Sequence, residues 1–527
     1  MPEIIINQNK IQVPEGSSVL EAAQKLKIDI PKLCFLKGYK PFTSCMVCLV
    51  EEKKTGKLLP SCSTLVADGM EIETDSSQVY AARRDALELL LSEHLGDCEA
   101  PCQRICPAHM NIPLMLRQIA ANDLKAAINT IKQTIALPAV LGRICPAPCE
   151  NGCRRKDFDQ PVSICLQKRF AADIDLASEN PYLPEIAPAS GKKVAIVGAG
   201  PTGLAAAYYL QQFGHACTLF DKNSAPGGAL QYDVPVENLP REVLQAEINI
   251  IKKLGAQFQS GIEIGQKINL NELQKKFDAI ILATGQIPPE KFKKFGLELT
   301  PNGFKVNKTT FKTSRPEIFA GGNAIRKGKM AVTSVGHGHA IAISVNQFLT
   351  NQPVIGPRDK FNSILGRLHD EEISEFMKNV DQTECHEPSN GLNHGFTPEE
   401  AIAEAKRCLH CDCRKPESYK LRKYANFYQA NQQRFKSSQR KQFEKQIQHP
   451  EVIYEPGKCI KCGICVQITE KSGEKLGLTF IGRGFNVKIG VPLNETLEKG
   501  LQEVAADCVQ NCPTAALSFN SGEDKCE

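Results

Sequence analysis

Between Gly96 and Pro113 the sequence reads GDCEAPCQRICPAHMNIP, which places Cys98, Cys102 and Cys106 four positions apart. Cysteines spaced this way can close disulfides, hold zinc or hold iron. The chain has 22 cysteines in 527 residues, and most fall in short-spaced groups, which suits metal centres. The opening stretch MPEIIINQNKIQVPEG lacks the basic-then-apolar pattern of a secretory signal and turns like a strand pair. A cytoplasmic chain is therefore expected, in which thiols stay reduced and disulfides are disfavoured. Zinc would account for one or two pairs, but poorly for the triplets and the Cys-Pro endings.

The first group is Cys34, Cys45, Cys48 and Cys62, spaced C-x10-C-x2-C-x13-C. Three thiolates in one loop with a distant fourth are what a [2Fe–2S] cluster needs. The last group joins GKCIKCGICVQ to CVQNCPTAAL. Cys459, Cys462 and Cys465 supply three ligands and Cys512, before Pro513, the fourth, which is the bacterial ferredoxin pattern for a [4Fe–4S] cluster. A second cluster there would need a cysteine near Thr469; none exists, and Cys508 is left over. RCLHCDC holds Cys408, Cys411 and Cys413, too short a run for a complete site. Cys385 could complete it from upstream, so a further cluster, zinc and unligated thiols all stay open. Cys217 and Cys526 belong to no group and are expected to be structural or free.

KKVAIVGAGPTGLAAAYYLQQFGHACTLFDK carries a second chemistry. Val194 to Val197 reads as a buried strand, Gly198, Gly200 and Gly203 form G-x-G-x-x-G, and Pro201 opens an alanine-rich helix. Asp221 ends the next strand, 23 residues after Gly198. The glycines let backbone approach a pyrophosphate at a helix N-terminus, and the acid accepts from a ribose hydroxyl. The fingerprint sits in its required context, yet alone it does not separate FAD from NAD.

These residues need elements to carry them. Leu87, Leu90, Leu91 and Leu95 recur at helical spacing, which predicts a helix from Arg83 to Leu95 that delivers His94 four residues before Cys98. PYLPEIAPASG, residues 181–191, is a proline-rich linker. Residues 415–445, rich in Lys, Arg and Gln with aromatics interleaved, read as solvated helix between two domains or as a docking segment. No apolar run reaches the length of about 18 residues that suggests a membrane span. The composition, 42% hydrophobic and 23% charged, is that of a globular chain, and a net charge of +5 gives no reason to expect nucleic acid.

Three resemblances sharpen this. PKLCFLKGYKPFTSCMVCLVEE with LLPSCSTLVADGMEIET resembles the N-terminal [2Fe–2S] domain of the large iron–sulfur subunit of respiratory complex I and of iron-only hydrogenases. In that complex I subunit a His-x3-Cys pair after the ferredoxin domain ligates a [4Fe–4S] cluster, and His94 matches it. From Cys98 to about residue 174 the chain resembles the helical domain of the glutamate synthase small subunit and of dihydropyrimidine dehydrogenase, which carries two [4Fe–4S] clusters. The resemblance implies one cluster on His94, Cys98, Cys102 and Cys153, and another on Cys106, Cys145 and Cys149. Relatives take the fourth ligand of the latter from the helix after PV-x-I. Here the aligned position is Lys168, which cannot serve, and Cys165, one turn earlier, is the expected ligand.

Pro226-Gly227-Gly228, ILATG at Ile281–Gly285 and EIFAGGN at Glu317–Asn323 resemble the FAD half of the glutamate synthase small subunit. This implies FAD contacts at Gly227, Gly228, Ala283, Thr284, Gly285, Gly322 and Asn323, with Asn323 where relatives usually have aspartate. Those relatives insert an NADPH domain after the ATG strand. Here only 35 residues separate Gly285 from Gly321, and they hold no glycine fingerprint.

The expected fold is multidomain α/β and α+β: a β-grasp ferredoxin-like domain (1–78), a helical double-cluster domain (79–185), a Rossmann-like FAD domain (190–355), a linker with the Cys408–Cys413 group (356–450) and a bacterial-type ferredoxin domain (451–527). The expected load is FAD, one [2Fe–2S] and three [4Fe–4S] clusters, with a fourth [4Fe–4S] if the Cys408 group binds one. The expected function is that of an electron-transfer subunit of a cytoplasmic oxidoreductase. Its partners would resemble NADH-oxidising flavoprotein, hydrogenase or formate dehydrogenase subunits. Two alternatives are a self-contained flavin reductase fed by free ferredoxin and an iron–sulfur scaffold without flavin. No residue of the sequence stands out as a substrate acid, base or nucleophile.

Overall fold

The computed structural model describes residues 1–520 except 267, 329, 359, 379, 416–417 and 438–439. Cys526 lies outside the described residues. The chain divides into two compact units, each assembled from separated stretches. Residues 1–99, 360–379 and 411–527 form one, and residues 100–359 and 380–410 form the other.

The first unit opens with a five-stranded sheet in the order Asn9–Gln12, Glu3–Ile6, Met70–Glu73, Leu49–Glu52, Lys57–Pro60. The first two strands pair antiparallel, and the turn between them uses Asn7 and Gln8, both at positive φ. Glu3–Ile6 runs parallel to Met70–Glu73, which requires a crossover, and the helix Val19–Lys25 lies in that connection. Ser18 and Glu21 close a capping box at its start, and Val19, Leu20, Ala22 and Ala23 enter the core with Ile4, Ile6, Val50 and Ile72. The β-grasp core also takes in Cys48 and Cys62.

The helix predicted over Arg83–Leu95 runs instead over Ser77–Ser92. Ser76 caps it by accepting from the Val79 N–H, so it starts earlier than its leucines reveal. It stops early because the Leu95 N–H donates to the Gly457 carbonyl, at 2.8 Å, rather than to its own preceding turn. His94 therefore sits just past the helix end. The expectation of solvated helix over residues 415–445 is also corrected. Among the described residues of this stretch only Lys420–Phe427 is helical, its Leu421 and Ala425 are buried, and Tyr419 and Tyr428 join the core of this unit. Of the aromatics interleaved among the charges, Tyr419 and Tyr428 are buried, whereas Phe427 and Phe435 face solvent. The rest of the unit pairs Val452–Tyr454 with Leu517–Phe519 and sets the helices Ile464–Ser472 and Ala505–Asn511 beside them.

In the second unit, short helices surround the central cysteines: Pro101–Ile105, Ile112–Ala120, Leu124–Lys132, Pro138–Ile144, Pro148–Asn151 and Ile164–Ala177. Four of these have proline in the first turn, where its missing N–H costs nothing. A five-stranded parallel sheet follows, in the order Ile318–Ala320, Ala279–Leu282, Lys193–Val197, Ala216–Asp221, Gln257–Ser260. The helices Pro201–Gln212 and Ala331–Leu349 pack tightly on each other; a Cβ on Gly338 would lie 2.5 Å from the Thr202 carbonyl. Between Gly285 and Gly321 the chain forms one short helix, Pro289–Lys293, and a small hairpin, Leu299–Thr300 with Gly303–Phe304. No helix of the described residues is long and apolar enough to cross a membrane.

Candidate functional site: a dinucleotide cleft and gathered thiols

A cleft of about 650 Å³ opens at the C-terminal ends of the parallel strands, where open α/β sheets bind ligands and within the usual size of cofactor sites. Of the residues expected to meet FAD, Gly198, Gly200, Pro201, Asp221, Gly228, Ala283, Thr284, Gly285 and Asn323 line it. Gly203, Gly227 and Gly322 do not; they shape its walls. A Cβ on Gly203 would fall 2.0 Å from the Gly198 carbonyl oxygen, so only glycine lets the helix meet the strand there. The Gly227 N–H donates to the Ala199 carbonyl at 2.8 Å, and the Gly322 N–H donates to His337 Nδ1 at 3.1 Å. Asp221 accepts from the Ala199 and Asn223 N–H groups, both at 2.8 Å, which fixes its carboxylate at the rim. Sequence reasoning missed His337, the cleft lysines Lys222, Lys291 and Lys294, and Ile144, which enters the cleft from the helical region. The lysines supply the positive charge that a pyrophosphate needs; nothing in the local sequence marks them.

Ile144 ties the cleft to the thiols. It ends the helix Pro138–Ile144, and the next residue is Cys145. That helix has no cap of its own; the buried Glu247 accepts from the Ala139 and Val140 N–H groups at 2.9 and 3.0 Å. Burial, which the two N–H donors oppose, pushes the Glu247 carboxyl up to about 7. Helix Ile164–Ala177 lies so close to the same helix that a Cβ on Gly142 would meet Arg169 Cβ at 2.6 Å. This approach brings Cys165 to Cys145: the Cys165 thiol hydrogen-bonds Cys145 and holds it down to about 6. Cys149 and Cys106 share the neighbourhood, and burial pushes Cys149 up to about 12. Lys168 points its ammonium at the group, with Nζ 3.7 Å from Cys165 Sγ. The four cysteines expected to share a cluster are thus gathered around a buried cation.

Cys102 and Cys153 belong to the same unit; the turn after Pro148–Asn151 packs on the helix Pro101–Ile105, where a Cβ on Gly152 would meet Ile105 at 2.9 Å. Cys385 Sγ lies 3.4 Å from Ser163 Oγ and 3.7 Å from Glu404 Oε1.

In the first unit the thiols of the β-grasp loop meet in pairs. Cys34 Sγ is 3.3 Å from Cys45 Sγ, and the Cys48 thiol hydrogen-bonds Cys62. In each pair one thiol is pressed toward thiolate: the hydrogen bond from Cys45 lowers Cys34 to about 5, and that from Cys48 lowers Cys62. Two pairs fit a cluster of two irons, with two thiolates on each.

Cys459, Cys462, Cys465 and Cys512 line a small cavity with Tyr454, Ile489 and Leu517. Backbone N–H groups of Lys461 and Leu517 donate to Cys459 and Cys512, at 3.4 and 3.5 Å, as thiolates bound to iron require. Cys508 is buried and faces the Cys465 carbonyl. Charge on Cys34 is felt at Cys462, and Phe42 of the β-grasp loop covers Gly463 and stacks on Phe480 at 5.4 Å.

His94 also lies in this unit. Its Nε2 and the Tyr419 hydroxyl hydrogen-bond at 2.8 Å, and Nδ1 is buried without a hydrogen bond of normal geometry. Burial and then the Lys458 charge press its pKa down to about 3, so the ring is neutral, the form that ligates metal. Cys98 Sγ accepts from the Ser363 N–H at 3.3 Å, and the Cys413 N–H donates to the Cys98 carbonyl at 3.3 Å. Among the described residues, no three His, Cys, Asp or Glu side chains close to the geometry of a single metal ion.

Comparison with known proteins agrees on three of the modules. A 2Fe-2S iron–sulfur cluster binding domain matches residues 3–77, the 4Fe-4S domain II of dihydropyrimidine dehydrogenase matches residues 92–180, and a pyridine nucleotide-disulphide oxidoreductase domain matches residues 152–340. The beta subunit of an NADPH-Fe(3+) oxidoreductase from Geobacter sulfurreducens is 39% identical over 208 residues, 39% of this chain and 30% of its own. The beta subunit of an NADP(+)-dependent formate dehydrogenase from Moorella thermoacetica is 38% identical over 207 residues, 35% and 29% of the two chains. The glutamate synthase [NADPH] small chain of Bacillus subtilis is 38% identical over 182 residues, 34% and 36%. The chain spans less than half the length of each of these relatives. It carries a ferredoxin-like [2Fe–2S] domain, a helical [4Fe–4S] domain and a Rossmann-like oxidoreductase domain of the FAD type.

Proposed function

We propose that this chain is the FAD- and iron–sulfur-carrying electron-transfer subunit of a multi-subunit oxidoreductase. The observation that carries the reading is the junction of cleft and thiols in the second unit. Ile144 lines the cleft while Cys145 joins the thiol group, and Gly336, two residues after the cleft residue Ser334, packs on the backbone of Pro107, next to Cys106. A bound flavin would supply the exchange between one- and two-electron transfers. Gly198, Gly200 and Gly228 would admit its pyrophosphate, and Asp221 would orient a ribose.

The load we propose is one FAD, one [2Fe–2S] cluster on Cys34, Cys45, Cys48 and Cys62, and three [4Fe–4S] clusters. These take Cys106, Cys145, Cys149 and Cys165; Cys459, Cys462, Cys465 and Cys512; and His94, Cys98, Cys102 and Cys153. A fifth cluster would implicate Cys408, Cys411 and Cys413. In the first unit, the nearness of Cys34 to Cys462 supports electron passage between the β-grasp and C-terminal clusters. The relatives named as subunits of formate dehydrogenase and NADPH-Fe(3+) oxidoreductase support partners of that kind, with a nicotinamide-oxidising subunit among them; a cytoplasmic location belongs to the same proposal.

Stopped-flow mixing tests this. The isolated protein should purify anaerobically with about one FAD and about fourteen irons. Dithionite should bleach the flavin, and NADH or NADPH should do so only after a partner subunit is added, because residues 286–320 form no second nucleotide domain. Rapid flavin reduction by NADH alone would favour the self-contained reductase instead, and iron near two atoms per chain would sink the cluster assignment.

A further inference from the structure

Lys168 is a buried cation with no carboxylate paired to it. It is 4% exposed, and among the described residues its ammonium forms no ion pair; its hydrogen-bond partner is Cys165 Sγ, at 3.7 Å. Taking an ammonium out of water costs several kcal/mol unless an anion meets it. The anions that act on it most are thiolates, Cys165, Cys145, Cys149 and Cys106; the Glu150 carboxylate, which accepts from the Cys165 N–H, also feels the Lys168 charge but makes no ion pair with it among the described residues. The placement is built in. Cys165 and Lys168 stand one turn apart on the helix Ile164–Ala177, and Gly142 allows that helix to come down onto the helix that ends at Cys145.

We propose that Lys168 sets the reduction potential of the cluster held by Cys106, Cys145, Cys149 and Cys165, acting through its fixed positive charge and not as a ligand. An iron–sulfur cluster on four thiolates is anionic and gains one further negative charge on reduction. A cation sealed beside it in low dielectric stabilises the reduced form more than the oxidised one, and so raises the potential. Ile144 lines the dinucleotide cleft and Cys145 follows it directly, so this cluster adjoins the cleft and Lys168 biases where an electron rests between cluster and flavin. The inference rests on the ligand set proposed above.

The test is an anaerobic EPR redox titration of the full protein carrying FAD and clusters, as wild type, Lys168→Met and Lys168→Arg. In Lys168→Met one [4Fe–4S] signal should shift to lower potential by about tenfold in its electron-partition constant, which is about 59 mV for a one-electron couple. The other signals should stay in place, and Lys168→Arg should restore most of the shift. Loss of about four irons in Lys168→Met but not in Lys168→Arg would also support the charge role. An unshifted signal in Lys168→Met, or cluster loss in both variants, would overturn it. Cys165→Ser separates the two readings: if it leaves iron content and every signal unchanged, the ligand set is wrong rather than the role of the lysine.

Discussion

Replacing Gly203 with alanine should expel the flavin while sparing the iron. The added Cβ would stand 2.0 Å from the carbonyl oxygen of Gly198. An ordinary carbon–oxygen contact needs about 3.3 Å, so strand and helix must part by about 1.3 Å. The helix cannot yield on its far side, because a Cβ-sized displacement there meets Gly338, whose own packing on Thr202 is already as close as glycine allows. The displacement therefore falls on the turn at Gly198 and Gly200, which lines the cleft. Overpacking of this kind costs about 1–3 kcal/mol, and if it is felt by the bound state it weakens FAD by roughly 5- to 150-fold. Fluorescence titration of deflavinated protein with FAD reads the effect, and the [4Fe–4S] EPR signals report that the remainder is folded. Gly191→Ala, at a glycine outside the cleft with open space around it but a φ of +72°, controls for the strain of a glycine replacement as such. A dissociation constant for Gly203→Ala within twofold of wild type, with the signals intact, would refute the claim that this contact shapes the pyrophosphate site.

Three further outcomes follow from the geometry. Cys512→Ser should remove about four irons and one EPR signal, whereas Cys508→Ser, which alters a thiol facing the Cys465 carbonyl, should leave iron content unchanged; equal iron loss in both would reassign the fourth ligand. His94→Ala should alter one [4Fe–4S] signal and spare the others; if all signals survive unchanged, His94 is a structural partner of Tyr419 and no more. Glu247, raised to about 7 by burial, holds its proton more tightly folded than unfolded, so its contribution to stability is full below about pH 4.5 and is lost as pH rises through 7, by about 3 kcal/mol in all. Glu247→Gln should flatten the fall in stability between pH 5 and 7 as followed by chemical denaturation, and an unchanged slope would rule out a folded-state proton on Glu247.

Chemistry with short-range spacing was legible in the sequence. The fingerprint from Val194 to Asp221 folded as strand, turn, helix and strand, and Cys165, expected from the resemblance one helical turn before the aligned position, comes to lie beside Cys145. The signals that were missed are long-range. Ser76 starts a helix ahead of its leucines, and Gly457, more than 360 residues away, ends it by accepting from Leu95. The basic stretch after Cys413 reads as solvated because its charges dominate its composition, yet Tyr419, Leu421, Ala425 and Tyr428 are spaced to fill a core formed by residues far away in sequence. Lys168 is the instructive case. Alignment marked it as a failed ligand, and its burial beside Cys165, Cys145, Cys149 and Cys106, with no paired carboxylate among the described residues, appears only in the fold.

The distribution of cysteines between cores predicts how the protein should come apart when iron is removed. One continuous core of the first unit contains Cys34, Cys45, Cys98, Cys413, Cys462 and Cys508, with Cys459, Cys465 and Cys512 packed against it. The core beneath the parallel sheet of the second unit, built from Ala195, Val197, Ile280, Leu282, Ile318 and their neighbours, contains no described cysteine. Burial pushes Cys413 and Cys459 up to about 11, so without metal these thiols are neutral and the first core lacks the iron–sulfur bonds that would tie its loops together. With the proposed C-terminal cluster in place, Cys459 would be a thiolate on iron, and metal-binding energy becomes folding energy. Iron removal should therefore loosen the first unit and leave the parallel sheet standing. Hydrogen exchange on the iron-free protein should show amides around Cys459–Cys465 exchanging many-fold faster while those of Val194–Val197 keep their protection. If both regions lose protection together, the two cores fold as one; if neither does, the clusters are passengers on a scaffold that holds itself, and the buried thiols need another explanation.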